Sequence, residues 1–213
     1  MKKVAALTLL LSTSVLAQAV TQSSPAESIR PAARFTIFPK LGAAFPQVLN
    51  RLETSFTGAL ELGFVSPWLG NRLALTVELS YAQPAHTRTV EDPRVANGTV
   101  SYTVQEKQLG LFFGPRFYFL PLSQTLVPYL GAGARVQFIA SQLDAGAGVS
   151  TFGTHVETGT HLAFGAQAGL GYRLGPGHIA LEIQLLLSPI DHLITGGVNI
   201  GDLSARAGYL LHF

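Results

Sequence analysis

Residues 206–213 constrain the fold of this chain more than any other segment. Apolar side chains recur there at every second position, at Ala207, Tyr209, Leu211 and Phe213, and the sequence stops on the aromatic ring. Alternation with period two is the pattern of a β-strand that has one apolar face. In water such a strand is an edge prone to aggregation, whereas in a bilayer its apolar face lies against lipid. The segment therefore predicts a membrane-spanning strand.

The N-terminus has the pattern of an export signal. Two lysines follow Met1, residues 4–16 are mostly apolar, and Ala17 and Ala19 form a small-x-small cleavage site. This pattern predicts a secretory signal peptide over residues 1–19, cleaved after Ala19. We expect a polar N-terminal lead-in at 20–32 and one β-barrel domain at 33–213.

Composition narrows the class of protein. Charged residues make up 12% of the chain and hydrophobic residues 47%, whereas soluble domains carry about 25% charged residues. No apolar run of 18 residues follows the leader, which leaves strands as the membrane-crossing elements. The absence of cysteine excludes disulfides and a lipid-anchored N-terminus. The formal net charge of +2 includes the two leader lysines, so no nucleic-acid partner is predicted.

Eight segments alternate with period two, and the connections between them alternate in length. The segments are 34–45, 55–65, 72–81, 101–120, 127–140, 159–173, 178–188 and 198–213. Connections 66–71, 121–126 and 174–177 are short, whereas 46–54, 82–100, 141–158 and 189–197 are mostly longer and more polar. We therefore predict an all-β fold, an eight-stranded antiparallel up-and-down transmembrane β-barrel with short periplasmic turns and longer extracellular loops.

The C-terminal pattern also carries a family resemblance. It consists of a polar residue, a glycine, apolar residues and a final aromatic residue, and it resembles the assembly signal of bacterial outer-membrane barrels. The residues that carry this resemblance are Arg206, Gly208, Tyr209, Leu211 and Phe213. Together with the architecture, residues 33–213 resemble small outer-membrane proteins of the OmpA/OmpX type. The resemblance implies residence in a Gram-negative outer membrane beside lipid and lipopolysaccharide. It also implies barrel assembly machinery and periplasmic chaperones as partners.

Charged residues recur on the polar face of the predicted strands. An eight-stranded barrel has an interior that side chains can fill, and charges inside it need partners. We therefore predict a closed lumen held by ion pairs, with a narrow gated channel as the alternative. The predicted lumen charge network is Lys40, Glu61, Glu78, Arg116, Arg135, Glu182 and Arg206.

Six histidines are the main candidates for catalytic or metal-binding chemistry in the chain. His178 and His212 are expected on adjacent strands, but a metal would need further ligands. Two enzyme families share the architecture, lipid A deacylases and lipid A palmitoyltransferases, and the deacylases use a His and a Ser two residues apart. No His-x-Ser occurs in the chain, and Asp191-His192 is the only adjacent Asp-His pair. We predict no catalytic residue, metal or cofactor.

These observations predict a non-enzymatic outer-membrane protein. Its extracellular loops would act in a structural or surface-contact role, as in an adhesin, through an extracellular ligand. Two alternatives stay open: a porin-like narrow channel for small solutes, and a lipid A-modifying enzyme.

Overall fold

The computed structural model describes residues 35–49, 52–91, 98–145, 154–192 and 196–213. The predicted signal peptide, its cleavage residues Ala17 and Ala19, and the lead-in at 20–32 lie outside these residues and stay predictions. In the described ranges, no helix is both long and apolar enough to cross a membrane.

The described residues form eleven antiparallel strands. They are β1 (Phe35–Phe45), β2 (Ser55–Ser66), β3 (Leu73–Ala82), β4 (Ala85–Glu91), β5 (Thr99–Tyr118), β6 (Leu126–Ala145), β7 (Thr154–Leu174), β8 (Gly177–Leu187), β9 (Pro189–His192), β10 (Gly196–Asn199) and β11 (Leu203–His212). Single 3₁₀ turns occupy Pro46–Val48 and Trp68–Gly70.

Eight of these strands close into a barrel. Each pairs with its neighbour in the order β3-β2-β1-β11-β8-β7-β6-β5, and β5 pairs with β3 to complete the ring. Closure gives every barrel strand a partner on both sides, which a bilayer requires because it offers no water to unpaired backbone groups. The predicted fold class is confirmed.

Alternating burial along the strands separates a lipid face from a lumen face. On β8, Ile179, Leu181 and Ile183 are exposed, whereas Ala180 and Glu182 between them are buried. Because successive strand side chains point to opposite sides, the apolar set faces outward around the ring. An outward apolar band is the arrangement of an outer-membrane barrel.

The described parts of two predicted extracellular connections are largely strand. β4 pairs with the start of β5 within the predicted loop 82–100, and β6 and β7 remain paired as far as Asp144 and Thr154 in the predicted loop 141–158. The strands are longer there than predicted, because polar β-forming side chains hide the apolar alternation while the backbone pairing continues. The predicted loop 189–197 likewise contains the β9–β10 hairpin.

The lumen near the short turns is apolar, which the charged residues on the polar faces of the predicted strands did not indicate. Phe38, Tyr118, Tyr129 and Leu210 are buried there. The rings of Tyr118 and Tyr129 meet edge to face with centroids 5.8 Å apart. Aromatic side chains thus fill the periplasmic end of the narrow interior and form a floor beneath the charged residues.

Candidate functional site

The structure brings all seven predicted lumen charges into one buried ion-pair network. Lys40 of β1 lies at its centre, with its Nζ 2.7 Å from Glu61 Oε2 and 2.8 Å from Glu182 Oε1. The same ammonium group also pairs with Glu78. One lysine therefore joins carboxylates from strands β2, β3 and β8.

Three arginines complete the network. Arg116 lies between Glu61 and Glu182, with its Nη2 2.6 Å from Glu61 Oε2 and 2.9 Å from Glu182 Oε2. Arg206 Nη1 lies 2.7 Å from Glu78 Oε1, and Arg135 Nη2 lies 3.3 Å from the same oxygen. Each buried charge has a partner, as charges removed from water require. The role of this closed network in function stays a prediction.

The aromatic floor contacts the charges directly. The Tyr129 hydroxyl donates to Glu182 Oε2 at 3.1 Å, and the Arg116 guanidinium lies 4.4 Å from the Tyr129 ring centroid. Lys40 Nζ lies 4.6 Å from the ring centroid of Phe38. These cation–π contacts at a buried site add to the ion pairs. Neither aromatic residue was predicted as part of the network.

Asp202 is a further buried acid, beyond the seven predicted lumen charges. It precedes β11 at the extracellular end, near Arg135 and Arg206, and hydrogen-bonds with Ser204. Burial raises the pKa of its carboxyl group, although the two arginines act in the opposite direction. Asp202 lies in the predicted segment 198–213 and alternates in period two with the inward Arg206, so the pattern indicated its orientation although the seven predicted charges did not include it.

The C-terminal strand contributes to both faces of the barrel. Arg206 points into the network, whereas the Tyr209 hydroxyl donates to the backbone oxygen of Leu174. Leu211 pairs with Ile37 in the register between β1 and β11. The exposed Phe213 exchanges two backbone hydrogen bonds with Phe35, at 3.0 and 3.1 Å.

Gly208 lies on the same strand opposite Lys40, and a Cβ at this position would overlap the backbone oxygen of Pro39. Recognition of Arg206, Gly208, Tyr209, Leu211 and Phe213 as an assembly signal stays a prediction.

The two predicted histidine neighbours do meet, with the ring centroids of His178 and His212 5.3 Å apart. His178 Nε2 also lies 3.0 Å from the backbone oxygen of Gln124. Within the described part of the chain, no group of three His, Cys, Asp or Glu residues is placed to hold a metal ion. The side chains of Asp191 and His192 lie outside the described part of the structure.

A groove of about 530 Å³ lies on the outward face of β3, β5, β6 and β7, near the extracellular end. We call it the outer groove. Its lining residues are Tyr81, Lys107, Leu109, Phe138, Ile139, Ala140, Thr158, Gly159 and Thr160.

Strand register places the lining of the outer groove in two rows. Tyr81, Leu109, Phe138 and Thr160 are consecutive cross-strand partners in the lower row. Lys107, Ala140 and Thr158 form the row above it. Among the described lining residues, Lys107 is the one charged group, and Thr158, Thr160 and Tyr81 supply hydroxyls. The outer groove thus combines an apolar wall with a single cation.

Solved outer-membrane barrels resemble the structure. OprG from Pseudomonas aeruginosa matches with a TM-score of 0.55 at 12% identity, covering 85% of this chain and 96% of that one. Neisserial surface protein A matches with a TM-score of 0.46 at 14% identity, covering 84% and 97%. Ail of Yersinia pestis matches with a TM-score of 0.45 at 18% identity, also covering 84% and 97%.

At these identities, the likeness to OprG shows the fold alone. It confirms the predicted resemblance to small outer-membrane barrels. No curated protein sequence matches the chain significantly.

The family comparison corrects the prediction about enzymatic function. The family model described as lipid A 3-O-deacylase (PagL) matches residues 70–188, more than half of the chain. The prediction of a non-enzymatic protein is therefore wrong: it preferred the interpretation without His-x-Ser chemistry, whereas the family match extends over many strands. The family match also confirms the predicted outer-membrane location. This chain belongs to the lipid A 3-O-deacylase (PagL) family.

Proposed function

We propose that lipid A of lipopolysaccharide is the substrate of this protein, bound on the outward surface in the outer groove. The observation that carries the proposal is the position of Lys107, a single cation at the upper side of an otherwise apolar and hydroxyl-lined groove. Lipid A presents phosphate groups above acyl chains. A lysine above Leu109 and Phe138 offers a charge for the phosphate and an apolar wall for the chain.

The depth of Lys107 supports this assignment. It lies two residues from Leu109, which pairs with Tyr81 near the extracellular end of β3. A lysine that faces lipid costs about 2–4 kcal/mol at the bilayer midplane but little near the interface. Tyr81 supports the interfacial depth, because an exposed tyrosine places its ring in lipid and its hydroxyl in water. Phosphate groups of the outer leaflet lie at this same depth.

Hydrolysis of an ester-linked acyl chain is the reaction that family membership supports for this chain. The chain contains no His-x-Ser, so the reaction does not use a Ser and a His in that spacing. The described lining of the outer groove offers hydroxyls and an amine, without an imidazole or a carboxylate. The proposal therefore assigns binding of the substrate to the outer groove and assigns no nucleophile.

Biogenesis belongs to the same proposal. We infer that barrel assembly machinery and periplasmic chaperones recognise the C-terminal strand, as the sequence resemblance implies. The exposed ring of Phe213 at the end of a strand that closes the barrel against β1 supports this inference.

The test is native mass spectrometry of the purified barrel with two lipids: bisphosphorylated lipid A and its dephosphorylated form. We expect Lys107→Gln to weaken binding of the phosphorylated lipid about tenfold, because a hydrogen bond to a charged group is lost. Binding of the dephosphorylated lipid should not change. Lys107→Arg should retain binding of both lipids, since it keeps the charge.

Arg72→Gln is the matched control, because it removes an exposed positive charge at the opposite end of the barrel. Equal loss of phosphorylated lipid A in Arg72→Gln and Lys107→Gln would contradict the proposal. Unchanged binding in Lys107→Gln would contradict it as well.

A further inference from the structure

The barrel strands differ greatly in length on the extracellular side. β3 has 10 residues, whereas β5, β6 and β7 have 20, 20 and 21 residues. A tilted strand needs about 9–11 residues to cross a membrane. The upper halves of β5, β6 and β7, joined by β4, therefore form a sheet that stands above the lipid.

The outward face of this sheet is polar. Its register rows continue directly above Lys107: Gln105 pairs with Gln142, and Thr103 pairs with both Thr87 and Asp144. Inward neighbours such as Glu106 are buried, which fixes the orientation of the outward set. We call this surface the polar face and define it by Thr87, Thr89, Thr103, Gln105, Gln142 and Asp144.

Side-chain hydrogen bonds hold the polar face in position. The Thr87 and Thr103 hydroxyls lie 3.0 Å apart, and the Thr89 and Ser101 hydroxyls lie 2.8 Å apart. Gln142 Nε2 donates to both carboxylate oxygens of Asp144, at 3.1 and 3.0 Å. Ordered side chains lose less entropy when they bind a ligand.

The chemistry of the surface changes in one direction along the outward face. The apolar band comes first and contains the register neighbours Leu79, Leu111 and Val136. Towards the extracellular side, the outer groove with Lys107 follows, and the polar face comes last. A glycolipid of the outer leaflet has the same order: acyl chains, then phosphates, then sugars. Hydroxyl, amide and carboxylate groups can donate to and accept from the hydroxyls of a sugar.

We propose that the polar face binds the saccharide that continues from lipid A, and that the barrel thereby recognises core-bearing lipopolysaccharide over bare lipid A. This inference deepens the proposed function, on which it rests for the placement of the lipid. The polar face adjoins the outer groove, so a glycolipid whose lipid A part lies in the groove would place its saccharide on the polar face. A bound glycolipid would contact both surfaces at once, and each contact raises the affinity of the whole.

The test measures binding of three probes to the purified barrel in detergent by native mass spectrometry: lipid A, lipopolysaccharide with core sugars, and core oligosaccharide freed from lipid. We expect the wild-type protein to bind core-bearing lipopolysaccharide about tenfold more tightly than lipid A. Two or more additional net hydrogen bonds suffice for that ratio. The double variant Gln105→Ala/Gln142→Ala should bind both lipids equally, with unchanged affinity for lipid A.

The matched control is Gln47→Ala/Gln124→Ala, which truncates two exposed glutamines outside the polar face. It should keep the tenfold preference. Equal binding of the two lipids by the wild-type protein would overturn the inference and leave the proposed function intact. If the wild-type protein binds the free oligosaccharide but does not bind lipid A, the inference is retained and the proposed function is overturned. A double variant that keeps its preference, or a wild-type barrel that binds none of the probes, would overturn the inference.

Discussion

Glu182 of β8 and Arg206 of β11 are register partners on adjacent strands, and their side chains form an ion pair with Nη2 and Oε1 2.7 Å apart. Glu182 also contacts Lys40, Arg116 and Tyr129. A single carboxylate thus compensates three buried cations. Loss of this carboxylate would leave all three cations with fewer partners.

Replacing that carboxylate should destabilise the barrel. Glu182→Gln leaves buried cations with fewer partners, and breaking a buried ion pair costs about 3–5 kcal/mol. We expect the barrel to unfold at a lower urea concentration. The fraction of folded protein is measured by its heat-modifiable electrophoretic mobility. Glu53→Gln makes the same chemical change at an exposed side chain and should have little effect. Equal midpoints for the two variants would show that the network does not hold the barrel together.

A close approach between strands supports Tyr129 beneath the network. A Cβ at Gly169 would overlap the Tyr129 ring, whereas a Cβ at Gly58 would meet only the side chain of Leu41, at 3.5 Å. Gly169→Ala should therefore displace Tyr129 from Glu182 and lower the free energy of unfolding by about 1–3 kcal/mol. Gly58→Ala is the control and should be nearly neutral. Equal unfolding free energies in the two variants would refute this role for Gly169.

Two outward-facing positions at different depths on β5 test where the boundary of the lipid lies. Phe113 and Gln105 face outward on the same strand, with Phe113 in the apolar band and Gln105 on the polar face. Phe113→Arg should destabilise the barrel in lipid vesicles by about 2–4 kcal/mol, whereas Gln105→Arg should cost less than about 1 kcal/mol. The measurement is denaturant unfolding in vesicles. Similar costs at both positions would place the boundary of the lipid elsewhere.

Asp202 predicts a dependence of stability on pH. Burial raises its pKa in the folded protein above the ordinary value of 3.8, so the folded state favours the protonated form. Its contribution to stability is present below about pH 3.8 and is lost as the pH rises through the raised pKa. Asp202→Asn, which stays neutral, should therefore be more stable than the wild type at pH 8.

The advantage of Asp202→Asn should disappear at pH 3, where both side chains are neutral. Urea unfolding of both proteins at the two pH values measures the difference. A variant less stable than the wild type at pH 8 would mean that attraction from Arg135 and Arg206 outweighs burial.

Alternation of apolar residues was enough to predict the barrel, because period two separates a lipid face from a lumen face on each strand. It failed above the membrane, where residues such as Thr103 and Gln105 face water and leave no apolar signal. The outer groove could not be predicted, since Tyr81, Lys107 and Phe138 lie far apart in the sequence. Only the register between strands, which alternation does not encode, brings these three side chains together.

Mass spectrometry of lipid A from cells that produce the protein tests the central claim most directly. The folded state of the barrel is checked first in each sample by its heat-modifiable mobility. We predict a species of lipid A lighter by one acyl chain, and a smaller fraction of this species with Lys107→Gln at an equal amount of folded barrel. An unchanged lipid A spectrum in the presence of abundant folded barrel would contradict the assignment of lipid A as substrate.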